Sequence, residues 1–272
     1  MEKIIILENF DLIHNLINYF YLRMKALQKT RFYFSSIPPS PKFVLFLGPP
    51  GSYLGTYANL MCKDLQFNRI SISEEIRKLV RGNSPLKIDA KKLRENYAVL
   101  TQGKIVTNDL ALDIIKAKLE EPDSKKGVTI GGFPRNLPQA ESYESSYPVH
   151  LVVFIRMDED VLMETLLGRR SCFKCGVSYN LCEIRRNEYF IEKLLPNNEG
   201  KCDLCGEKLA MRPDDNIETI YNRIYNYRQD GAKVLEYFKA NCRERVLVFE
   251  PKKGVKDYPE FLEKSKKILD KN

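Results

Sequence analysis

The stretch Phe43-Val-Leu-Phe-Leu-Gly-Pro-Pro-Gly-Ser-Tyr-Leu-Gly-Thr56 limits what this chain can fold into more than any other. The apolar run Phe43 to Leu47 reads as a strand buried on both faces. Gly48-Pro49-Pro50-Gly51 turns the chain, after which Leu54, Ala58, Met61 and Leu65 recur at helical spacing. Strand, glycine-rich turn and helix N-terminus together make an anion cradle. Turn N–H groups converge on one point, and the helix dipole adds partial positive charge there. Such a phosphate-binding loop reads Gly, four residues, Gly-Lys, then a small or hydroxyl-bearing residue. Here Tyr53 stands in place of the second glycine and Leu54 in place of the lysine. The cradle remains and its cation is missing.

Further apolar runs around Ile70, Val128–Ile130, Leu151–Ile155 and Val246–Phe249 read as strands. Helical patterns at Asp109–Leu119, Glu159–Leu167 and Ile217–Phe238 separate them. This alternation predicts a parallel sheet with helices on both faces, with ligands beyond the carboxyl ends of the strands. Two segments break the pattern. Residues 71–104 are a helical excursion, and residues 168–212 carry Cys172-x-x-Cys175 and Cys202-x-x-Cys205 with 26 residues between the pairs. Each Cys-x-x-Cys turn offers two thiolates to one ion, so the four cysteines predict a tetrahedral zinc site. Four thiolates fill the coordination shell, which makes its role structural. The gap is long for a zinc ribbon, and Arg185–Leu194 reads as an insertion.

Composition narrows the partners. The chain has 272 residues, 43% hydrophobic and 29% charged, which suits a globular protein. The net charge of +8 favours phosphate-bearing partners. Only 14 glycines and the lack of an Arg/Gly-rich tract argue against a nucleic-acid-binding tail; small anions explain the charge as well as nucleic acid does, and no nucleic-acid partner is expected. Seven cysteines, four of them in metal-type pairs, without a signal peptide, imply a reducing, cytoplasmic setting.

Residues 1–41 form an N-terminal extension. Phe10, Ile13, Leu16, Ile17, Phe20 and Met24 predict an amphipathic helix, with Arg23, Lys25, Lys29 and Arg31 near its far end. The longest uncharged stretch, Leu12 to Leu22, is too short to span a bilayer, so no transmembrane segment is expected. The first reading is a helix docked on the core. The alternatives are a helix for a protein partner or membrane surface, and an organelle-targeting peptide. Ser35–Pro41 is a linker rich in breakers.

The motifs come in the order of a known family. Gly48-Pro-Pro-Gly-Ser52 is followed by Ile70-Ser-Ile-Ser-Glu-Glu-Ile-Arg77, Gly103-Lys-Ile-Val-Thr107 and Gly132-Phe-Pro-Arg-Asn-Leu-Pro-Gln139. Gly168-Arg-Arg170, the cysteine pairs, Arg212-Pro-Asp-Asp-Asn216 and Arg223 complete the set. Over residues 42–270 the chain resembles the adenylate kinases of the long-lid, zinc-binding type. The resemblance implies a three-layer α/β fold of the phosphate-loop NTPase type, with five parallel strands flanked by helices. It also implies an AMP-binding arm at 71–104 and a zinc-ribbon lid at 168–212 that closes over ATP.

Carried over position by position, the resemblance gives nucleotide-binding roles to Gly48, Gly51, Ser52, Gly55 and Thr56. It gives an AMP site at Arg77, Val106, Gly132, Arg135 and Gln139. Arg77 and Arg135 would grip phosphate through their planar forks, and Gln139 would read the adenine edge. Ile72 departs from the family's usual threonine. Arg169, Arg212 and Arg223 match the catalytic arginines, and Asp214 and Asp215 the hinge aspartates of the lid.

The ATP side is stripped by comparison. Tyr53 brings a Cβ to a position that often needs positive φ, at about 1–2 kcal/mol, and its ring is expected near phosphate space. Leu54 removes the bridging ammonium. Gly131 replaces the aspartate that supports a magnesium shell, which leaves magnesium in doubt as a cofactor. Thr165 replaces an arginine near the ATP adenine. Phosphoryl transfer draws nearly all its acceleration from positioning and charge neutralisation, and one transition-state cation is worth about 10³–10⁵ in rate. The expectation is a protein that binds AMP in preference to ATP and transfers phosphate weakly or not at all. The alternatives are a working nucleoside monophosphate kinase with a relocated cation, Lys42 or Lys104 being the candidates, and a scaffold that binds no nucleotide.

Overall fold

The computed structural model describes residues 41–272, so the helix expected in residues 1–41 lies outside it. The central strand is β1 (Lys42–Leu47), the run read as doubly buried. With β2 (Asn68–Ser71), β3 (Gly127–Gly131), β4 (Leu151–Ile155) and β10 (Val246–Phe249) it forms a five-stranded sheet in the order β10-β4-β1-β3-β2. Every pairing in that sheet is parallel.

Alternation along β1 sends Phe43, Leu45 and Leu47 into one core and Val44 and Phe46 into the other. The first core receives α2 (Ile72–Val80), α3 (Ala90–Thr101), α4 (Asn108–Leu119) and α5 (Leu137–Glu144). The second receives α1 (Leu54–Leu65), α6 (Glu159–Gly168) and α8 (Tyr258–Leu269). The 26-residue α7 (Ile217–Cys242) gives Ile220 and Ile224 to one core and Val234, Leu235 and Phe238 to the other. Helices therefore cover both faces, as a parallel sheet requires.

The segment that carries the cysteines makes its own small antiparallel sheet. β5 (Arg169–Cys172), β6 (Ser178–Asn180) and β9 (Leu209–Ala210) run in the order β6-β5-β9. The expected insertion is a hairpin of β7 (Ile184–Arg186) and β8 (Tyr189–Ile191), with Asn187 at φ 51° in its turn. Asn accepts that left-handed conformation more readily than most residues. Ile184, Tyr189 and Ile191 are buried in the same apolar cluster as Tyr53 and Phe249. The Tyr189 hydroxyl donates to Glu250 Oε1 at 2.9 Å and accepts from the Asp158 amide at 3.0 Å. The Phe190 amide donates to the Lys252 carbonyl at 2.8 Å, and Lys252 Nζ lies 4.2 Å from the Tyr189 ring centroid. The insertion is thus packed onto the main body beside the phosphate-loop turn. Among the described residues, no helix is long and apolar enough to cross a membrane.

Candidate functional site

The turn after β1 opens at the carboxyl end of the parallel sheet, where the alternation of elements predicts a ligand. Gly51 has φ +90°, and a Cβ there would lie 2.8 Å from Thr165 Oγ1 and 2.9 Å from the Leu162 carbonyl. Only glycine fits. Thr165, which stands in place of an arginine near the ATP adenine, donates its hydroxyl to the Gly51 carbonyl at 2.8 Å and braces the turn. Ser52 Oγ donates to the Pro49 carbonyl at 2.7 Å. Gly48, Gly51, Gly55 and Thr56 line the large cavity beside the turn, while Ser52 is buried behind it.

Tyr53 does adopt the left-handed conformation, φ 60° and ψ 13°, immediately before α1. Its ring, however, packs into the cluster holding Ile184 and Ile191 of the hairpin, and a Cβ on Gly254 would lie 3.8 Å from its Cζ. Burial pushes the phenol's pKa well up, with the Cys182 thiol beside it, and among the described residues the hydroxyl has no hydrogen-bond partner. The backbone strain costs about 1–2 kcal/mol, but emptying a buried aromatic site costs about 3–5 kcal/mol. Tyr53→Gly is therefore expected to destabilise the protein by about 1–4 kcal/mol despite relieving the strain. Tyr53→Phe should be neutral or slightly stabilising. Urea denaturation of both variants checks the pair.

Of the arginines expected at the two nucleotide sites, Arg135, Arg169, Arg212 and Arg223 line this cavity, and Arg77 lies outside its lining. Arg77 Nη2 pairs with Asp214 at 2.7 Å. Arg169 pairs with Asp215 through Nε at 2.8 Å and through Nη2. Arg223 Nη1 lies 3.2 Å from Asp215 and 3.5 Å from Asp214. Arg212 Nε donates to Ser171 Oγ at 3.0 Å, and its Nη2 lies 3.7 Å from Glu74. Burial, then Arg169, pushes Arg212 down to about 9 and Arg223 to about 10. Arg135 is shifted down by burial and by Arg77. Its Nε donates to the Gly132 carbonyl at 3.2 Å, and among the described residues no carboxylate pairs with it. Crowded guanidinium groups with too few carboxylates favour a bound anion.

Gln139 is held by backbone partners. Its Nε2 donates to the Val106 carbonyl at 2.9 Å, its Oε1 accepts the Arg135 amide at 2.8 Å, and it is 1% exposed. In this conformation the amide ties Val106 to the Arg135 turn. Neither cation proposed from sequence reaches the loop. Lys42 opens β1 at the opposite end of the strand, and Lys104 is exposed outside the cavity lining. Sequence reasoning missed Arg69 of β2, which lines the cavity and forks onto Glu74 at 2.5 and 2.8 Å. Its polar type inside a buried parallel strand is the signal that could have found it.

Zinc is the expected metal, and magnesium the doubtful one. The four thiolates of Cys172, Cys175, Cys202 and Cys205 lie within 4.8 Å of one another, with the closest pairs at 3.4 and 3.5 Å. A tetrahedral ion with bonds of about 2.3 Å needs sulfur separations of about 3.8 Å. Both Cys-x-x-Cys turns close alike, the Gly176 and Gly206 amides donating to the carbonyls of Cys172 and Cys202 at 2.9 and 2.8 Å. The set fits zinc. Magnesium gains no ready ligand from position 131 or from Glu74. Gly131 offers no carboxylate, Glu74 is occupied by Arg69, and among the described residues the cysteines are the only group of three or more metal-binding side chains held together.

A parallel α/β sheet, a glycine-rich phosphate turn and a ring of arginines beyond the strand ends define an α/β protein of the phosphate-loop class. The adenylate kinase family model matches residues 46–243. Adenylate kinase of Clostridium tetani is 33% identical over 201 residues, covering 72% of this chain and 86% of that protein. Adenylate kinase of Treponema denticola is 34% identical over 194 residues, covering 71% and 85%. The chain belongs to the adenylate kinase family.

Proposed function

We propose that this protein binds adenine nucleotide, AMP in preference to magnesium-ATP, and transfers phosphate between them weakly or not at all. The observation that carries the reading is the contrast across one cavity. On one side Arg135 lines the cavity near Arg77, and among the described residues no carboxylate pairs with it, so a bound anion would supply the partner it lacks. On the other side Leu54 stands where the loop needs an ammonium, and a Cβ at position 131 would meet nothing within 4 Å. Binding survives on the side where charge is in excess. Transfer fails where the reacting phosphates lose their cation and metal shell.

Calorimetric titration tests this directly. AMP is expected to bind at least about 10-fold tighter than magnesium-ATP, a difference of about 1.4 kcal/mol. Equal affinities, or tighter magnesium-ATP, overturn the reading. A second reading, a working kinase, draws support from Arg169, Arg212 and Arg223, all of which line the same cavity. ADP formation at about 1–100 s⁻¹ by the purified protein would establish it.

A further inference from the structure

Arg69 is the one arginine at the loop that no sequence motif accounts for. It lies on β2, where the register sets Arg69 opposite Thr129 and Ser71 opposite Gly131. Alternation puts Arg69 and position 131 on one face of the sheet. A Cβ on Gly55, in the first turn of α1, would lie 3.2 Å from Arg69 Nη2, and one on Gly176 of the first cysteine turn 4.0 Å from Nη1. Its guanidinium therefore stands where the phosphate turn, the sheet end and the cysteine-bearing unit meet. It is held there by the Glu74 fork. Glu74 takes two of its five N–H donors and leaves three.

We propose that Arg69 supplies the loop's missing positive charge, so that a nucleoside polyphosphate binds this side of the cavity without a divalent cation. Three observations lead there. The helix N-terminus and the glycine turn still present an anion cradle, since Gly48 and Gly51 keep positive φ at its mouth. Leu54 leaves that cradle without an ammonium, and Arg69 brings a guanidinium to the same helix turn from a neighbouring strand. A divalent ion would find Arg69 beside it, no carboxylate at position 131, and Glu74 already paired. The Arg69–Glu74 pair is neutral as a whole and offers such an ion no free carboxylate. A magnesium ion on the polyphosphate tail competes with Arg69 for the same oxygens, so magnesium weakens binding.

The inference rests on the nucleotide-binding reading above, and calorimetry with the full chain separates the two. ATP in excess EDTA is expected to bind at least about 5-fold tighter than ATP in excess magnesium. Arg69→Gln is expected to weaken metal-free ATP about 10-fold or more, to abolish the magnesium difference, and to leave AMP within about 2-fold, as loss of a charge-assisted phosphate contact predicts. If Arg69→Gln does not fold, Arg69→Lys keeps the charge without the fork and should show a smaller loss of the same sign. The magnesium comparison needs no variant at all. Tighter binding with magnesium, or metal-free ATP affinity unchanged by substitution at Arg69 while AMP still binds, overturns this inference alone. Failure of every nucleotide to bind overturns both readings.

Discussion

Stripping the metal with a chelator is expected to unfold the cysteine-bearing sheet while the five-stranded body stays intact. The reason is size. That unit's own core consists of Cys172, Tyr179, Cys202 and Leu209, with Val177 and the other two cysteines at its edge. Its strands are four, three and two residues long. So little apolar area cannot offset the conformational entropy of ordering the segment. Structural zinc contributes about 10–16 kcal/mol in zinc-finger peptides, far more than this cluster can supply by burial. Hydrogen exchange provides the measurement. Amides of Cys172, Asn180 and Leu209 should lose protection on chelation, and Cys202→Ser should have the same effect without chelator. The hairpin of β7 and β8 should lose much less, because its apolar face and the Tyr189 hydroxyl are anchored to the main body. Unchanged protection at the three amides would show that the sheet holds without metal.

The second large effect is a gain. Leu54→Lys with Gly131→Asp, made in an Arg69→Gln background, is expected to raise ADP formation by about 10³-fold or more. Leu54 lines the cavity and is only half-buried, so a lysine stem can follow the same apolar wall and carry its ammonium to the turn. Position 131 has room for a carboxylate. Arg69 must go because it would repel the new ammonium and pair with the new carboxylate. Retaining it should therefore blunt the gain. Tyr53 stays, since its ring belongs to the cluster that docks the hairpin. A coupled assay with AMP and magnesium-ATP reads the outcome. No gain, with AMP affinity intact, would rule out the two lost groups as the cause of weak transfer.

Much of the fold is legible along the chain because its signals are local. Phe43 to Leu47 is apolar without interruption, and a run that short, stopped by a Gly-Pro-Pro-Gly turn, reads as a strand covered on both faces. Cys172-x-x-Cys175 and Cys202-x-x-Cys205 each close a turn on themselves, so the zinc set needs no knowledge of the path between them. Gly51 likewise announces a tight turn. The long helix Ile217–Cys242 also follows from its own spacing, although its end runs past Phe238, where the expected pattern stops.

What stayed hidden depends on where distant segments meet. Tyr53 was legible as a strained residue in the turn, yet its ring leaves the phosphate path because a hairpin more than 130 residues later offers it an apolar pocket. Gln139 reads as a base-recognising amide until Val106 and the Arg135 backbone occupy it. Arg69 carries no motif, and only the packing of β2 beside the loop gives its charge a purpose. Taken alone, the order of residues determined the sheet, the anion cradle, the zinc ligands and the loss of the loop lysine, because spacing along a chain sets local geometry. The tertiary structure decided which charges face one another, because an ion pair depends on separation through space and not on distance along the chain.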